Sequence, residues 1–422
     1  MLRIPAITLP RLGHNGMAPR HPIKETAVAT AYKMPEPVQQ PERPVRVALF
    51  SGNYNYVRDG ANQALNRLVA YLEGQGCVVR VYSPTSDTPA FEPAGQLVSI
   101  PSFAIPGRGE YRLALGLPDR LKREIKDFAP DIIHLSAPDP AAHAAKKLAR
   151  EIGVPVVASI HTRFETYFEY YGLGFIRPGI EALLRRFYAG LDTIFVTTPG
   201  FGDTMREAGI IDVEPAVWSR GVDKARFNPD RRSPEWRWSL GIADDEPVIG
   251  FVGRLVLEKG LDMVAAAVAE LKRRGVRHRL LVVGDGPARE GFAKDVPDAI
   301  FTGFQDGTNL ARAYASVDML LNPSITETFG NINLEAMASG IPVVAARAGG
   351  NECLVADGVT GALVAARDVT AYADALERYC TDPALRTAHG KAGLAAAQGF
   401  DWDAINGAVL SRYRELIAAK RP

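Results

Sequence analysis

Two glutamates, Glu327 and Glu335, lie eight positions apart in the stretch SITETFGNINLEAMASG, residues 324–340. A short helix is predicted to begin near Asn331, so Glu327 precedes the helix and Glu335 lies one turn inside it. The N–H groups and dipole of a helix N-terminus favour an anion, and Gly330 lets a phosphate approach the backbone closely. Carboxylates beside such a site accept hydrogen bonds from sugar hydroxyls. The spacing therefore predicts a phosphate held between two polyols.

A simpler explanation stays open, in which Glu327 complements the helix dipole and Glu335 is a surface residue. The segment around Glu335 is mostly apolar or small, which predicts burial. A buried carboxylate needs a partner because bare burial of its charge is costly. The composition therefore favours the ligand-binding interpretation.

Two cations, Arg254 and Lys259, lie in GRLVLEKG, residues 253–260, directly after a predicted strand. Two cations beside the N–H groups of a helix mouth suit a diphosphate. Solvated surface charges are the alternative, but the position at a strand end between two glycines favours a ligand.

Two glycine turns are weaker candidates. Gly284 opens GDGP after another predicted strand, where the backbone either packs close to a nucleoside or forms an ordinary tight turn. The turn is no dinucleotide fingerprint, because Arg289 breaks the G-x-G-x-x-G pattern. Gly60, in SGNYNYVRDGANQ, is a candidate phosphate contact after the first strand.

His161 follows the predicted strand VPVVAS. A neutral imidazole there binds a substrate hydroxyl or senses charge at the reacting carbon, and a structural role is the alternative. Aromatic residues that line an acceptor pocket or pack the core come next: Phe164, Tyr167, Phe168, Tyr170 and Tyr171.

The elements that position these residues form two successive sets of short apolar strands alternating with helical segments. This order predicts two doubly wound, Rossmann-like α/β domains with parallel sheets. The predicted strands are 45–50, 77–83, 131–136, 154–161, 193–198 and 215–219, then 247–253, 278–284, 299–303, 318–324 and 341–346. Ligands of such sheets bind outside the carboxyl ends of the strands, so we expect the candidates to line a cleft between the domains.

Composition sets the expected domain boundaries. Residues 1–44 are rich in proline and polar residues and lack the apolar core of a secretory signal, so they are predicted to be a disordered extension. The N-terminal domain is expected at 45–218 and the C-terminal domain at 219–395. Residues 396–422 end in a predicted amphipathic helix.

Overall composition excludes several classes of protein. A net charge of +1 gives no bulk signal for nucleic acid, and the apolar runs fall short of the ~20 residues of a membrane-spanning helix. Three cysteines without a C-x-x-C motif favour a reducing cytoplasm over disulfides or a thiolate metal site. Neither H-E-x-x-H nor G-x-S-x-G is present, so we predict no metal site and no serine nucleophile elbow.

Taken together, GRLVLEKG, GDGP, NPSITETFGNINLEAMASGIPVVAARAGG and the SIHT strand end resemble the retaining glycosyltransferases of GT-B fold in family four. The resemblance covers about residues 45–420 and implies hexosyl transfer from a UDP- or GDP-linked sugar to an acceptor hydroxyl, with no cofactor and no strictly required metal. It also implies that the final helix crosses back onto the first domain.

The resemblance implies a role for each matching residue. Glu327 contacts the donor sugar, Glu335 the nucleotide ribose, and His161 lies near the reacting face of the sugar. Arg254 and Lys259 hold the donor diphosphate. Backbone around Phe329, Gly330 and Asn331 contacts the sugar or phosphate, and Gly284 belongs to the donor side. The family's usual Gly-Gly-x reads Asp59-Gly60-Ala61 here, so only Gly60 carries over.

The segment HTRFETYFEYYGLG resembles transferases that add mannose, glucose or sulfoquinovose to diacylglycerol-type lipids. This implies a lipid or glycan acceptor contacted by Tyr167, Tyr170 and Tyr171. The next segment, FIRPGIEALLRRFYAG, is either an ordinary solvated helix or a contact with an anionic membrane face. Its cations are Arg177, Arg185 and Arg186. We therefore expect a cytoplasmic protein, peripheral on the membrane. A sugar-nucleotide epimerase and a non-catalytic nucleotide-sugar-binding protein are the alternatives.

Overall fold

The computed structural model describes residues 43–57, 59–105, 108–162 and 174–420, which belong to one compact unit. The predicted disordered extension lies outside these ranges except for its last two residues. The predicted acceptor residues Tyr167, Tyr170 and Tyr171 also lie outside them.

The N-terminal domain is built on a seven-stranded parallel sheet with the order β3-β2-β1-β6-β7-β8-β9. Its strands are β1 (Arg46–Phe50), β2 (Val78–Ser83), β3 (Gln96–Ser99), β6 (Ile132–Leu135), β7 (Val156–Ile160), β8 (Thr193–Val196) and β9 (Ala216–Val217). A separate antiparallel hairpin of β4 (Ser102–Ile105) and β5 (Arg108–Ala114) follows β3.

The C-terminal domain has a six-stranded parallel sheet with the order β12-β11-β10-β13-β14-β15. Its strands are β10 (Val248–Val252), β11 (Arg279–Val283), β12 (Ile300–Gly303), β13 (Met319–Asn322), β14 (Val343–Ala346) and β15 (Gly361–Val364). In both sheets the strand order reverses beside the first strand, which is where a doubly wound sheet binds ligands. The predicted fold class, two Rossmann-like α/β domains, is confirmed.

Helices connect the strands and cover both sheets. In chain order they are α1 (Gly60–Gly74), α2 (Asp119–Phe128), α3 (Pro140–Ile152), α4 (Arg177–Tyr188), α5 (Pro199–Glu207), α6 (Pro234–Ser239), α7 (Leu261–Arg273), α8 (Arg289–Asp295), α9 (Gly307–Ser316), α10 (Asn331–Ala338), α11 (Asn351–Leu354), α12 (Val369–Thr381), α13 (Pro383–Ala397) and α14 (Trp402–Lys420). None of these helices is long and apolar enough to cross a bilayer.

Local sequence explains where the helices near the sheets begin. The Asp59 and Asp139 side chains cap α1 and α3 by accepting backbone hydrogen bonds from Asn62 and Ala142, each at 2.8 Å. Such a cap replaces one of the hydrogen bonds that the first turn of a helix lacks, and is worth about 1 kcal/mol.

The last helix, α14, packs on the N-terminal domain although it follows the C-terminal domain in sequence. Its buried residues Val409 and Tyr413 share one core with Leu65 and Leu68 of α1. Burial of each such apolar side chain contributes about 1.5–3 kcal/mol. The chain therefore connects the two domains twice, through the segment before α6 and through the segment that leads to α14.

Candidate active site

Two helix N-termini from opposite domains meet at one point. Gly60 is the first residue of α1 and Asn331 the first residue of α10. A Cβ atom on Gly60 would clash with Nδ2 of Asn331, so a larger residue there would require the Asn331 side chain to move. Gly330, at φ +94°, caps α10 in the left-handed region that glycine favours. The positive dipole ends of both helices lie at this point, which favours an anion there, although the Asp59 side chain already accepts from Asn62 in the first turn of α1.

Glu327 and Lys259, which carry different predicted roles, form an ion pair beside these helix ends. Lys259 closes the short turn Leu257–Lys259 after β10. The carbonyl oxygen of Glu327 accepts a hydrogen bond from the Gly350 N–H at 2.7 Å. The side chain of Glu327 is 13% exposed, so its carboxylate reaches the solvent-accessible space only in part. The two charges neutralise each other.

A buried cluster of three asparagines fixes the loop that carries Glu327. Asn322 Nδ2 and Asn333 Nδ2 donate to Asn351 Oδ1 at 3.2 and 2.8 Å, and Asn322 Nδ2 also donates to Asn333 Oδ1 at 2.9 Å. Asn351 Nδ2 donates to the Ser324 carbonyl at 2.9 Å. These bonds join the end of β13, helix α10 and helix α11. The cluster was not predicted from the sequence.

Glu335 lies on α10, where burial raises the pKa of its carboxyl to about 7, although the Tyr314 hydroxyl and the positive charges of Arg226 and Arg67 oppose the rise. Arg67 belongs to α1 of the N-terminal domain. The carboxyl therefore titrates near neutral pH at a point where both domains contribute charge.

Arg254 lies in the loop after β10, with Nη1 3.5 Å from the Tyr111 hydroxyl of the β5 strand. Gly284 supports this loop: its φ is +139°, and a Cβ atom there would collide with the carbonyl oxygen of Gly253. The Leu255 N–H donates to the Asp285 carbonyl at 2.9 Å. The GDGP turn thus packs directly on the loop that carries Arg254.

Both ring nitrogens of His161 are bonded within the protein. Nε2 lies 2.8 Å from Ser159 Oγ, and Nδ1 lies 2.6 Å from Nη2 of Arg220. Burial, with the positive charge of Arg220, holds the pKa of His161 well below its usual value, so the ring is neutral. The His161 carbonyl accepts from Thr328 Oγ1 at 2.8 Å, and Thr197 Oγ1 donates to the Thr328 carbonyl at 2.6 Å. The loop of Glu327 is therefore bonded to two strand ends of the other domain.

The side chain of Phe329 is a core residue, 4% exposed and packed edge-on against Phe400 with ring centroids 6.0 Å apart. Only its backbone faces the neighbouring loop at Gly350.

The three arginines predicted to contact a membrane lie on α4. Arg177 Nε donates to Glu181 at 2.7 Å and Arg185 Nε to the Gly209 carbonyl at 2.6 Å, while Arg186 is exposed. Two of the three therefore already have partners within the protein.

Comparison with known proteins identifies the family. A family model described as Glycosyltransferase Family 4 matches residues 58–226, and one described as Glycosyl transferases group 1 matches residues 246–382. The sulfoquinovosyl transferase SQD2 of Arabidopsis thaliana is 33% identical over 381 residues, which are 87% of this chain and 74% of that protein. The chain belongs to glycosyltransferase family four.

Two further comparisons agree with this assignment. An alpha-monoglucosyldiacylglycerol synthase of Streptococcus pneumoniae is 29% identical over 76% of this glycosyltransferase and 75% of its own length. A sucrose-phosphate synthase structure from Thermosynechococcus elongatus has a TM-score of 0.75 at 23% identity and covers 89% of this chain and all of that one. The predicted hexosyltransferase class and the GT-B fold are confirmed, which favours a transferase over both the epimerase and the non-catalytic binding protein. The roles of individual site residues stay predictions.

Several site residues were missed by the sequence analysis. The asparagine cluster, Ser159, Thr328 and Arg220 carry no recognisable local motif. For Arg220 a signal does exist, since it lies in WSRGVD directly after a predicted strand end.

Proposed function

We propose that this glycosyltransferase moves a hexosyl group, with retention of anomeric configuration, from a nucleotide sugar to a diacylglycerol-type lipid at the cytoplasmic face of a membrane. The observation that carries the donor part is the meeting of the α1 and α10 N-termini at Gly60 and Asn331 beside the Lys259–Glu327 ion pair. Two positive helix ends and a lysine at one point suit a diphosphate.

Each predicted donor residue then has a role. The diphosphate lies on the N–H groups of both helices and interacts with Arg254 and Lys259. Glu327 accepts hydrogen bonds from the transferred sugar, and ionised Glu335 accepts them from the ribose. Backbone at Phe329 and Gly330 contacts the sugar or phosphate, His161 borders the reacting face, and Gly284 lies on the nucleoside side.

In the proposed reaction the bond between the anomeric carbon and the diphosphate oxygen breaks, and the acceptor oxygen forms its bond on the same face. The acceptor proton passes to the departing phosphate oxygen. Negative charge develops on that oxygen, where cations and oriented N–H groups stabilise the transition state. These protein groups supply the neutralisation, so we propose that no metal is strictly required. Activity that survives saturating EDTA would agree, and its loss would contradict this point.

The lipid acceptor and the membrane contact are supported by the surface of α4 and by one relative. Phe175, directly before α4, is 79% exposed, and Leu183 on α4 is 52% exposed. Exposed Arg186 lies on the same helix. Large apolar side chains beside a cation suit the interface of an anionic bilayer. The matched synthase from Streptococcus pneumoniae is named for a glucosyldiacylglycerol product.

A donor panel tests the proposal. The full chain is mixed with UDP- or GDP-linked sugars and with vesicles that contain or lack diacylglycerol, and the released nucleoside diphosphate is measured. We expect release from one donor only when diacylglycerol is present, with an α-linked glycolipid product for an α-linked donor. Release of nucleoside diphosphate without any lipid would contradict the proposed lipid acceptor. A product with inverted anomeric configuration would contradict the proposed retention.

The membrane contact has its own variant. Phe175→Ser with Leu183→Ser removes two exposed apolar groups that have no proposed role in donor binding. We expect vesicle binding to fall while affinity for free UDP or GDP is unchanged. The control changes Val359, an exposed apolar residue of the C-terminal domain, to serine. Unchanged vesicle binding in the double variant would contradict the contact.

A further inference from the structure

Arg220 is a buried charge in the segment that follows β9. It is 3% exposed. Nη1 donates to the carbonyl oxygens of Trp218 and Ser219, each at 3.1 Å, and Nη2 donates to His161 Nδ1 at 2.6 Å. All three acceptors are uncharged, so these bonds do not neutralise the guanidinium. Burial lowers the pKa of Arg220 to about 10, which reflects the cost of a charge removed from water.

The carboxylate that acts electrostatically on Arg220 is Asp59, the cap of α1. Asp59 also interacts with the charge of Arg254 from the other domain. The residue after Asp59 is Gly60, which meets Asn331. The Asp59 carboxylate therefore interacts with two arginines beside two positive helix ends.

The position of the guanidinium is set before any ligand binds. Arginine has no acceptor, so His161 Nδ1 must accept from it, and the neutral ring carries its proton on Nε2. That proton is donated to Ser159 Oγ at 2.8 Å, and Ser159 Oγ lies 2.9 Å from His134 Nε2. Ser159 and His134 are both buried. The bonds that hold the guanidinium come from its two Nη atoms.

We propose that Arg220 binds an oxyanion of the donor. This oxyanion replaces Asp59 as the counter-ion of Arg220, and Ser159 and His161 are the residues that position the Arg220 guanidinium. The inference rests on the proposed function, because the donor is taken to be a nucleotide sugar. The oxyanion belongs to the diphosphate or to an acidic group on the transferred sugar. A guanidinium binds both by paired N–H···O bonds.

The substitution Asp59→Asn distinguishes a ligand-binding role of Arg220 from a purely structural one. Asn caps a helix as well as Asp, so Asp59→Asn keeps the cap of α1 and removes only the charge. With Arg220 as a ligand-binding group, we expect this variant to bind UDP or GDP several-fold more tightly, because a competing carboxylate is gone. If Asp59 only balances Arg220, the variant loses thermal stability and gains no affinity, which overturns the proposal.

Calorimetric titration of the full chain with UDP, GDP, UDP-glucose and UDP-glucuronate gives the direct test. Arg220→Lys keeps the charge and removes the paired donors. If the oxyanion is the diphosphate, every accepted nucleotide should bind about 10- to 100-fold more weakly, the size expected for a hydrogen bond to a charged group. If the oxyanion is an acidic group on the sugar, only the binding of UDP-glucuronate should become weaker. Wild-type affinity for all four ligands overturns the proposal.

Arg237→Lys is the matched control, because Arg237 is 2% exposed and bonded to Asp318 in the C-terminal domain. This control should lose stability and keep the nucleotide affinities of the wild type.

The positioning part has a spectroscopic test that needs no turnover. Nitrogen NMR of labelled histidines should show His161 neutral with its proton on Nε2; a proton on Nδ1 overturns this part. Ser159→Ala should lower the affinity for the same ligands as Arg220→Lys, but by a smaller factor. Ser316→Ala, a change at a buried serine of the C-terminal domain, should leave these affinities unchanged. If the wild type transfers no sugar, the proposed function fails, while nucleotide affinity and the His161 tautomer still test Arg220.

Discussion

Glu327 and Lys259 form an ion pair in which each side chain neutralises the other. Under the proposed function, a diphosphate that interacts with Lys259 would leave the Glu327 carboxylate free for hydroxyls of the transferred sugar. Donor binding would then exchange one ion pair for two substrate contacts, which lowers the electrostatic cost of bringing an anion beside a carboxylate.

The first prediction concerns this carboxylate. Glu327→Ala should lower kcat by about a hundredfold or more, because the sugar loses a contact near the reacting carbon. Affinity for free UDP or GDP should stay the same or rise, since Lys259 loses its internal partner. Steady-state kinetics and calorimetry measure the two effects. Exposed Glu290→Gln is the control, and normal turnover in Glu327→Ala would refute the role.

The second prediction follows from the titration of Glu335. Because burial raises its pKa to about 7, donor binding that needs the carboxylate should strengthen between pH 6 and 8. The donor KM of the wild type should therefore fall with rising pH. The donor KM of Glu335→Gln should lack this fall, and the difference between the two pH profiles isolates Glu335 from other titrating groups. Equal pH profiles for the two proteins would contradict the prediction.

The same titration affects stability. A carboxyl whose folded pKa exceeds its unfolded pKa contributes stability below about pH 4.5, and this stability is lost as the pH rises through about 7. The unfolding free energy of the wild type relative to Glu335→Gln should thus decrease from pH 5 to pH 8. Denaturant unfolding at both pH values measures the difference, and a constant or increasing difference would show that the carboxyl is not buried.

At the scale of elements, the loops at the strand ends of the C-terminal domain support one another. The GDGP turn packs on the loop of Arg254, and the asparagine cluster joins β13, α10 and α11 around the loop of Glu327. Buried amides that are hydrogen-bonded to one another favour a single arrangement. The loop of Glu327 is therefore held by backbone and amide contacts.

The third prediction tests the support of the Arg254 loop. Gly284→Ala places a Cβ atom against the Gly253 carbonyl at a φ of +139°, so the loop must move. We expect lower thermal stability and a raised donor KM. Gly291→Ala, on α8, is the matched control, because its Cβ atom meets no heavy atom within 4 Å and alanine favours a helix. Equal KM values in the two variants would contradict the prediction.

The elements that the sequence predicts well are those with continuous apolar runs. The strand predicted at 247–253 is β10 (Val248–Val252), and the final helix spans the predicted residues Trp402–Lys420. Strands β3 and β15 and the β4–β5 hairpin were not predicted. Their residues are partly exposed and their runs are only four to seven residues long, so the pattern is weak. A hairpin at the edge of a domain depends on packing that no local window shows.

The same distinction applies to the site. Glu327 and Lys259 stand in motifs with fixed spacing, so the sequence indicates them. Arg220, Ser159 and Thr328 act through neighbours that are distant along the chain, for example Arg220 through His161, 59 residues away. Such contacts exist only after both sheets have formed, so local sequence patterns do not reveal them.

At the scale of the molecule, α14 makes the N-terminal domain depend on the end of the chain. Tyr413 is fully buried, bonds to His134 Nδ1, and packs with Val409 against α1. Asn406 of the same helix accepts from Trp218 Nε1 at 3.2 Å. The helix therefore shares one core with Ile132 of β6, Val157 of β7 and Phe195 of β8, and the strand β7 leads to His161, which is bonded to Arg220.

The last prediction tests this dependence. Tyr413→Ala should destabilise the protein by about 3–5 kcal/mol, because it removes a fully buried aromatic side chain and leaves a cavity. Amide hydrogen exchange should rise in peptides from α1, β1 and β6, which share this core, and much less in the C-terminal domain. Tyr372→Ala, a buried tyrosine of α12, should give the reverse distribution. If α14 were only a surface extension, Tyr413→Ala would raise exchange within α14 alone, and its coupling to the N-terminal domain would be disproved.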